Sequence, residues 1–170
     1  MQALVPVLAA ILPLIAVAAA VHDVATYRIP NWMSVVLLAV FIPAAVATGM
    51  EPRLIAIDAL VGLAVLLVGM CLMAGNLLGG GDAKIMAAIA PYVGLTALTE
   101  FVLFIAVAGG ALALLALAVR RLPEDLRNRG PGWWRRLVEP CGPLPYGVAI
   151  CVGALATFPA SRIGMAAFGG

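Results

Sequence analysis

Charge is what this chain has least of. Of its 170 residues only 11% are charged, against 65% hydrophobic, and the mean hydropathy is +1.14. A water-soluble domain carries about a quarter charged residues, so this scarcity excludes a soluble globular chain and places most of it in lipid. Histidine is scarce as well, with His22 alone. The three cysteines, Cys71, Cys141 and Cys151, form no C-x-x-C pair. That excludes a zinc ribbon, and neither a metal site nor a cofactor is expected. Cys71 and Cys151 fall in apolar runs and read as packing residues, whereas Cys141 sits in a polar loop. No Lys or Arg precedes Arg28. The first apolar run therefore lacks the positive n-region of a signal peptide and reads as a retained span. No internal repeat or soluble segment interrupts the chain, so residues 1–170 read as a single integral-membrane domain.

What is present is a series of apolar segments, near 3–21, 32–49, 55–75, 83–97, 101–119 and 146–168. A crossing needs about 20 apolar residues at a rise of ~1.5 Å each, so the expected fold is all-α, a polytopic bundle of about six transmembrane helices. The run from Ile85 to Val119 is too long for one crossing and must turn at "GLTALTE" (94–100). Pro91 then lies inside a short fourth span, which it kinks or ends. Loops 22–31, 76–84 and 120–145 hold Arg28, Lys84, Arg120, Arg121, Arg127, Arg129, Arg135 and Arg136, while the other side holds Arg53 and Arg162. This asymmetry makes the first side cytoplasmic and puts both termini outside. The long cytoplasmic loop 120–145 pairs its arginines with Trp133 and Trp134, which suits a segment lying on lipid headgroups; gripping a substrate is the other reading.

Eight acids remain to be placed. Glu51 and Glu100 fall in outer loops, and Glu124, Asp125 and Glu139 in the long inner one. Asp58, near the outer end of the third span, suits a pairing or structural role. Asp23 closes the first span and Asp82 opens the fourth, both at the same membrane boundary. Two carboxylates at one depth can simply cap helix ends. If instead they meet, like charges disfavour ionising both, and one keeps a proton while the other acts as base on a water. Gly79, Gly80 and Gly81 precede Asp82 in "GGGDAK". Glycine permits positive φ and close backbone approach, so the run suits an unwound segment that receives an extended peptide, or a helix-packing patch. In "RIPNW", Arg28, Pro30 and Asn31 form a tight turn that fixes where Asp23 points, with Asn31 able to cap the next span. In "CGPLPYG", Pro143 and Pro145 delay the last span and set Tyr146 at the boundary, as a helix stop or as a third wall of a cleft. Lys84 either neutralises the site or, the better fit, snorkels to phosphates. His22 reads as an interface residue.

Together "D-x4-R-I-P-N" from Asp23, "GGGDAK" at 79–84 and "LPYG" at 144–147 resemble the type IV prepilin peptidases, polytopic aspartic proteases of the GxGD class. The likeness extends over nearly the whole chain as span order and spacing. It implies that Asp23 and Asp82 are the catalytic pair of an aspartic endopeptidase. Such an enzyme cuts the leader from prepilins at the cytoplasmic face of the bacterial inner membrane. Gly79, Gly80, Gly81, Lys84, Arg28, Pro30, Asn31, Pro145 and Tyr146 would then shape the site. The larger bifunctional members carry a cytoplasmic insertion with C-x-x-C pairs and also methylate the new pilin end. Here only "VATYRIPN" separates the first two spans, so N-methylation is not expected. The short form resembles the peptidases of tight-adherence systems, which process Flp-type prepilins. The implied partners are pilin-like membrane proteins and the bilayer, with no nucleic acid. The rival readings are a proton-coupled small transporter and a non-catalytic assembly factor of a pilus or secretion system.

Overall fold

In lipid an unpaired backbone N–H or C=O has no water to turn to, so long apolar stretches fold as helices that satisfy their own hydrogen bonds. A computed structural model describes residues 4–123, 130–139 and 142–169, and these form helices and connecting turns with no strand. The elements are α1 (Leu4–Thr26), α2 (Asn31–Ala47), α3 (Pro52–Ala74), α4 (Gly80–Arg120), α5 (Gly132–Val138) and α6 (Gly147–Thr157), followed by a 3-10 turn (Phe158–Ala160) and α7 (Arg162–Phe168). Glu124, Asp125, Arg127, Arg129 and Cys141 lie outside the described residues. By length and composition α1, α3 and α4 can each cross a membrane, and α6 with the bent segment that ends in α7 makes a fourth. The expected span 146–168 is thus broken by a bend of 65°. At 17 residues, α2 is shorter.

The fourth and fifth expected spans are two limbs of α4. Asp82 and Ile105 line one cleft, yet in a straight helix 23 residues (105 − 82) would separate them by ~34 Å. The helix therefore doubles back. It does so at Gly94 alone (φ 75°, ψ 169°), a backbone conformation that side-chain-bearing residues avoid, and not across the whole of 94–100. Pro91 stays inside the first limb.

Asp58 holds this reversal. Its Oδ1 accepts from the Leu95 N–H at 3.3 Å, which caps the second limb. Its Oδ2 pairs with Arg162 Nη1 at 3.0 Å. The pairing role expected for Asp58 is therefore realised, and its partner comes from the far end of the chain. An Arg162→Leu variant is expected to lose about 1–3 kcal/mol of stability, less than a fully buried pair because the arginine is partly exposed. Adding Asp58→Asn should restore part of that loss, as read by thermal unfolding in detergent.

Small residues let α3 lie against the first limb of α4. A Cβ on Gly62 would sit 2.7 Å from Pro91 Cγ, and one on Gly69 would sit 2.9 Å from Ala83 Cβ. The two glycines are seven residues apart, two turns on one helix face. Gly69→Val is expected to push these helices apart at a cost of about 1–3 kcal/mol, seen as a lower melting temperature. The core on the other side joins Leu12 of α1, Leu37 of α2, Ile89 and Phe101 of α4 and Ile150 of α6. Tyr92 donates its hydroxyl to Leu37 O at 2.7 Å, which ties α4 to α2.

Candidate active site

The first carboxylate stands on the last turns of α1. The helix runs past the expected end of the span to Thr26, so Asp23 is held by helical backbone rather than hanging beyond it. The Tyr27 N–H donates to Asp23 O at 2.7 Å, and Tyr27 takes a left-handed φ of 57° that ends the helix. His22 Nδ1–H donates to Arg28 O at 2.7 Å, folding the turn back over α1. His22 is therefore a latch on the turn. Pro30 is the residue that leads into α2, with no side-chain cap. Asn31, expected to cap α2, is instead its first helical residue, and its Oδ1 accepts from Lys84 Nζ at 3.1 Å.

The second carboxylate opens α4. Gly79 is the N-cap, with extended backbone (φ −70°, ψ 142°), and its N–H faces the Asp82 carboxylate. This is the reciprocal half of a capping box. Gly80 and Gly81 are already helical and have no positive φ. Of the two readings of this run, the unwound segment is therefore not formed at Gly80 and Gly81, and the glycines serve close approach. A Cβ at Gly79 would lie 2.7 Å from Asp82 Oδ2, one at Gly80 3.0 Å from Met73 Sδ, and one at Gly81 3.3 Å from Ile29 Cβ. The last contact packs the "RIPN" turn directly on the "GGGD" turn. The irregular backbone lies just upstream, where Asn76 has a φ of 57°. There the Leu78 N–H and the carbonyls of Asn76, Leu77 and Leu78 make no hydrogen bond among the described residues.

Both carboxylates open into one cleft of about 1050 Å³, whose walls include Tyr27, Leu77, Ile105 and Tyr146. Asp23 is only 5% exposed, and its Oδ2 accepts from the Gly147 N–H at 2.7 Å. The two acids are within electrostatic reach of each other, and neither makes an ion pair among the described residues. Asp82 serves the start of its helix and also lines the cleft that Asp23 lines.

Of the other expected residues, Arg28, Gly79, Gly80, Gly81 and Tyr146 line the cleft, whereas Pro30 and Pro145 do not. Lys84 points to the opposite face of α4 and lines a separate groove. Gly147 and Gly109 were not singled out beforehand. A Cβ on Gly147 would meet Asp23 Oδ2 at 3.0 Å, and one on Gly109 the Tyr146 hydroxyl at 2.6 Å. Gly147 directly follows Tyr146 in a quoted motif. Gly109 had no sequence signal beyond its place in an apolar span.

The long loop is tied to the same turn. Tyr27 donates its hydroxyl to Trp133 O at 2.9 Å, and the Arg136 guanidinium lies 5.9 Å from the Tyr27 ring centre. Partial burial pushes the Tyr27 phenol above its ordinary range, so it remains a donor. Arg120 reaches Leu137 O at 3.0 Å and Gly142 O at 2.8 Å. So α5 is held against the wall of the cleft by named bonds, in addition to any hold on headgroups.

Apolar helices that enclose a cleft lined by two acids define an integral-membrane protein with a polar site at one end. A family model described as the type IV leader peptidase family matches residues 10–114, a stretch that includes Asp23, Asp82 and the reversal at Gly94. The chain belongs to the type IV leader peptidase family. No curated protein and no solved structure matches it.

Proposed function

We propose that this leader peptidase is an aspartic endopeptidase that uses Asp23 and Asp82 as its catalytic pair, and that it acts on Flp-type prepilins and similar proteins at the cytoplasmic face. The observation that carries the reading is that two carboxylates 59 residues apart in sequence (82 − 23) line one cleft. A substrate keeps its apolar helix in lipid and presents its leader junction, unwound, to the cleft. The free backbone groups of 76–78 offer main-chain hydrogen bonds to that extended peptide. One aspartate, ionised, takes a proton from water as it attacks the scissile carbonyl. The other, protonated, donates to the carbonyl oxygen.

Support for the cytoplasmic side comes from the charge asymmetry. Arg28 lines the cleft, whereas Arg162 sits with Asp58 at the Gly94 end. The Flp-type substrate class is favoured by the short turn 27–30 between α1 and α2, which leaves no room for a C-x-x-C insertion. The transporter reading loses its best residue, since Asp58 is engaged by Arg162 and the Leu95 N–H. The test is to add a purified Flp-type prepilin to the protein in lipid and follow its mass. Loss of the leader supports the reading, and an intact precursor refutes it.

A further inference from the structure

Behind the helix that carries Asp82 lies a second groove of about 530 Å³. On α4 Asp82 and Met86 face the cleft, while Lys84, Ala87 and Pro91 line this groove. With 3.6 residues per turn these sets fall on opposite sides of the helix. The other walls are one face of α2, with Leu38 and Ile42, and one face of α3, with Leu63 and Leu66. Both helices pack on α4 but make at most marginal contact with each other, so the groove opens sideways between them.

Apolar walls alone would face any lipid. What distinguishes this groove is that its polar groups are ordered along one end. Lys84 Nζ uses one of its three donors on Asn31 Oδ1 at 3.1 Å. That bond orients the ammonium and leaves two donors free at the membrane boundary. Three residues deeper on α2, about 4.5 Å along the axis, stands Ser34. Its side chain lines the groove, the residue is 6% exposed, and no hydrogen bond to its hydroxyl occurs among the described residues. A buried hydroxyl without a partner is costly. The order is therefore cation, then an unsatisfied donor three residues deeper, then hydrocarbon.

We propose that this groove binds one anionic phospholipid. Its phosphate sits on Lys84, an ester carbonyl accepts from Ser34, and an acyl chain lies along Leu38, Ile42, Leu63 and Leu66. A lipid there braces the helix of Asp82 from behind. The proposal does not depend on the cleavage chemistry, because binding is read without substrate.

The test is native mass spectrometry of the full chain in detergent with equal phosphatidylglycerol and phosphatidylcholine. Phosphatidylglycerol should be retained about five- to tenfold better. Lys84→Gln should bring that ratio to about one, and Ser34→Ala should weaken both lipids alike. Leu63→Trp, which fills the groove and keeps Lys84, should lower retention of both. Equal retention of the two lipids by the unaltered protein would overturn the proposal. So would displacement by inorganic phosphate, or capture of a second copy or a pilin helix in place of lipid.

Discussion

An Asp82→Asn variant is expected to assemble normally and fail to cut. Asparagine keeps the shape of the side chain and an oxygen that can accept from the Gly79 N–H facing position 82, so the start of α4 stays capped. It cannot take or give the proton that the chemistry needs. Removing one acid–base partner costs roughly 10²–10⁴-fold in rate. Asp23→Asn should behave alike, since its amide oxygen can still accept from the Gly147 N–H. The double variant should be little worse than either single one, because in the proposed mechanism the two acids work as a unit. Cleavage should also follow a bell-shaped pH profile, as the pair acts with one proton between its members. The measurement is prepilin processing by purified protein, with melting temperature as the control. Undiminished cleavage by either single variant would falsify the pair.

Gly147→Val is expected to be nearly as damaging, though valine carries no chemistry. A Cβ at position 147 would stand 3.0 Å from both Asp23 Cβ and Asp23 Oδ2. Such contacts force a shift in the carboxylate or in the start of α6. A displacement of about 1 Å at a reacting group can cost on the order of 10²-fold. The bulk also threatens the 2.7 Å bond from the Gly147 N–H. Gly147→Ala, with a smaller clash, should fall between wild type and valine. Graded loss of turnover with an unchanged melting temperature would show that Gly147 positions Asp23; loss of folding in step with activity would instead mark it as a packing residue.

Much of the site was legible because its acids are so few. In a chain with eight carboxylates and long apolar runs, Asp23 and Asp82 stood out by depth alone, and they share one cleft. Asp58 was rightly marked for pairing, but its partner Arg162 is 104 residues away, and no local pattern announces such a contact. Asn31, expected to cap α2, is instead its first helical residue. Lys84 suited either neutralising the aspartate site or snorkelling to phosphates, and helical rotation turns it to the far side of α4, where it engages Asn31. The three glycines suited either an unwound segment or a packing patch; the second is what they form, and that choice depends on what packs against them.

Local patterns in the chain were enough for its helical class, its membrane setting, the ends at which its charges gather and two candidate acids at one depth. Hydropathy and charge act residue by residue through the cost of burial, and so they can be read along a line. The sharing of one cleft by Asp23 and Asp82, the single-residue reversal at Gly94, the close seat of Gly147 on Asp23 and the groove behind Asp82 came only with the packed helices. Each is a distance between residues remote in sequence, set by the helix rotation and close contact that small residues allow.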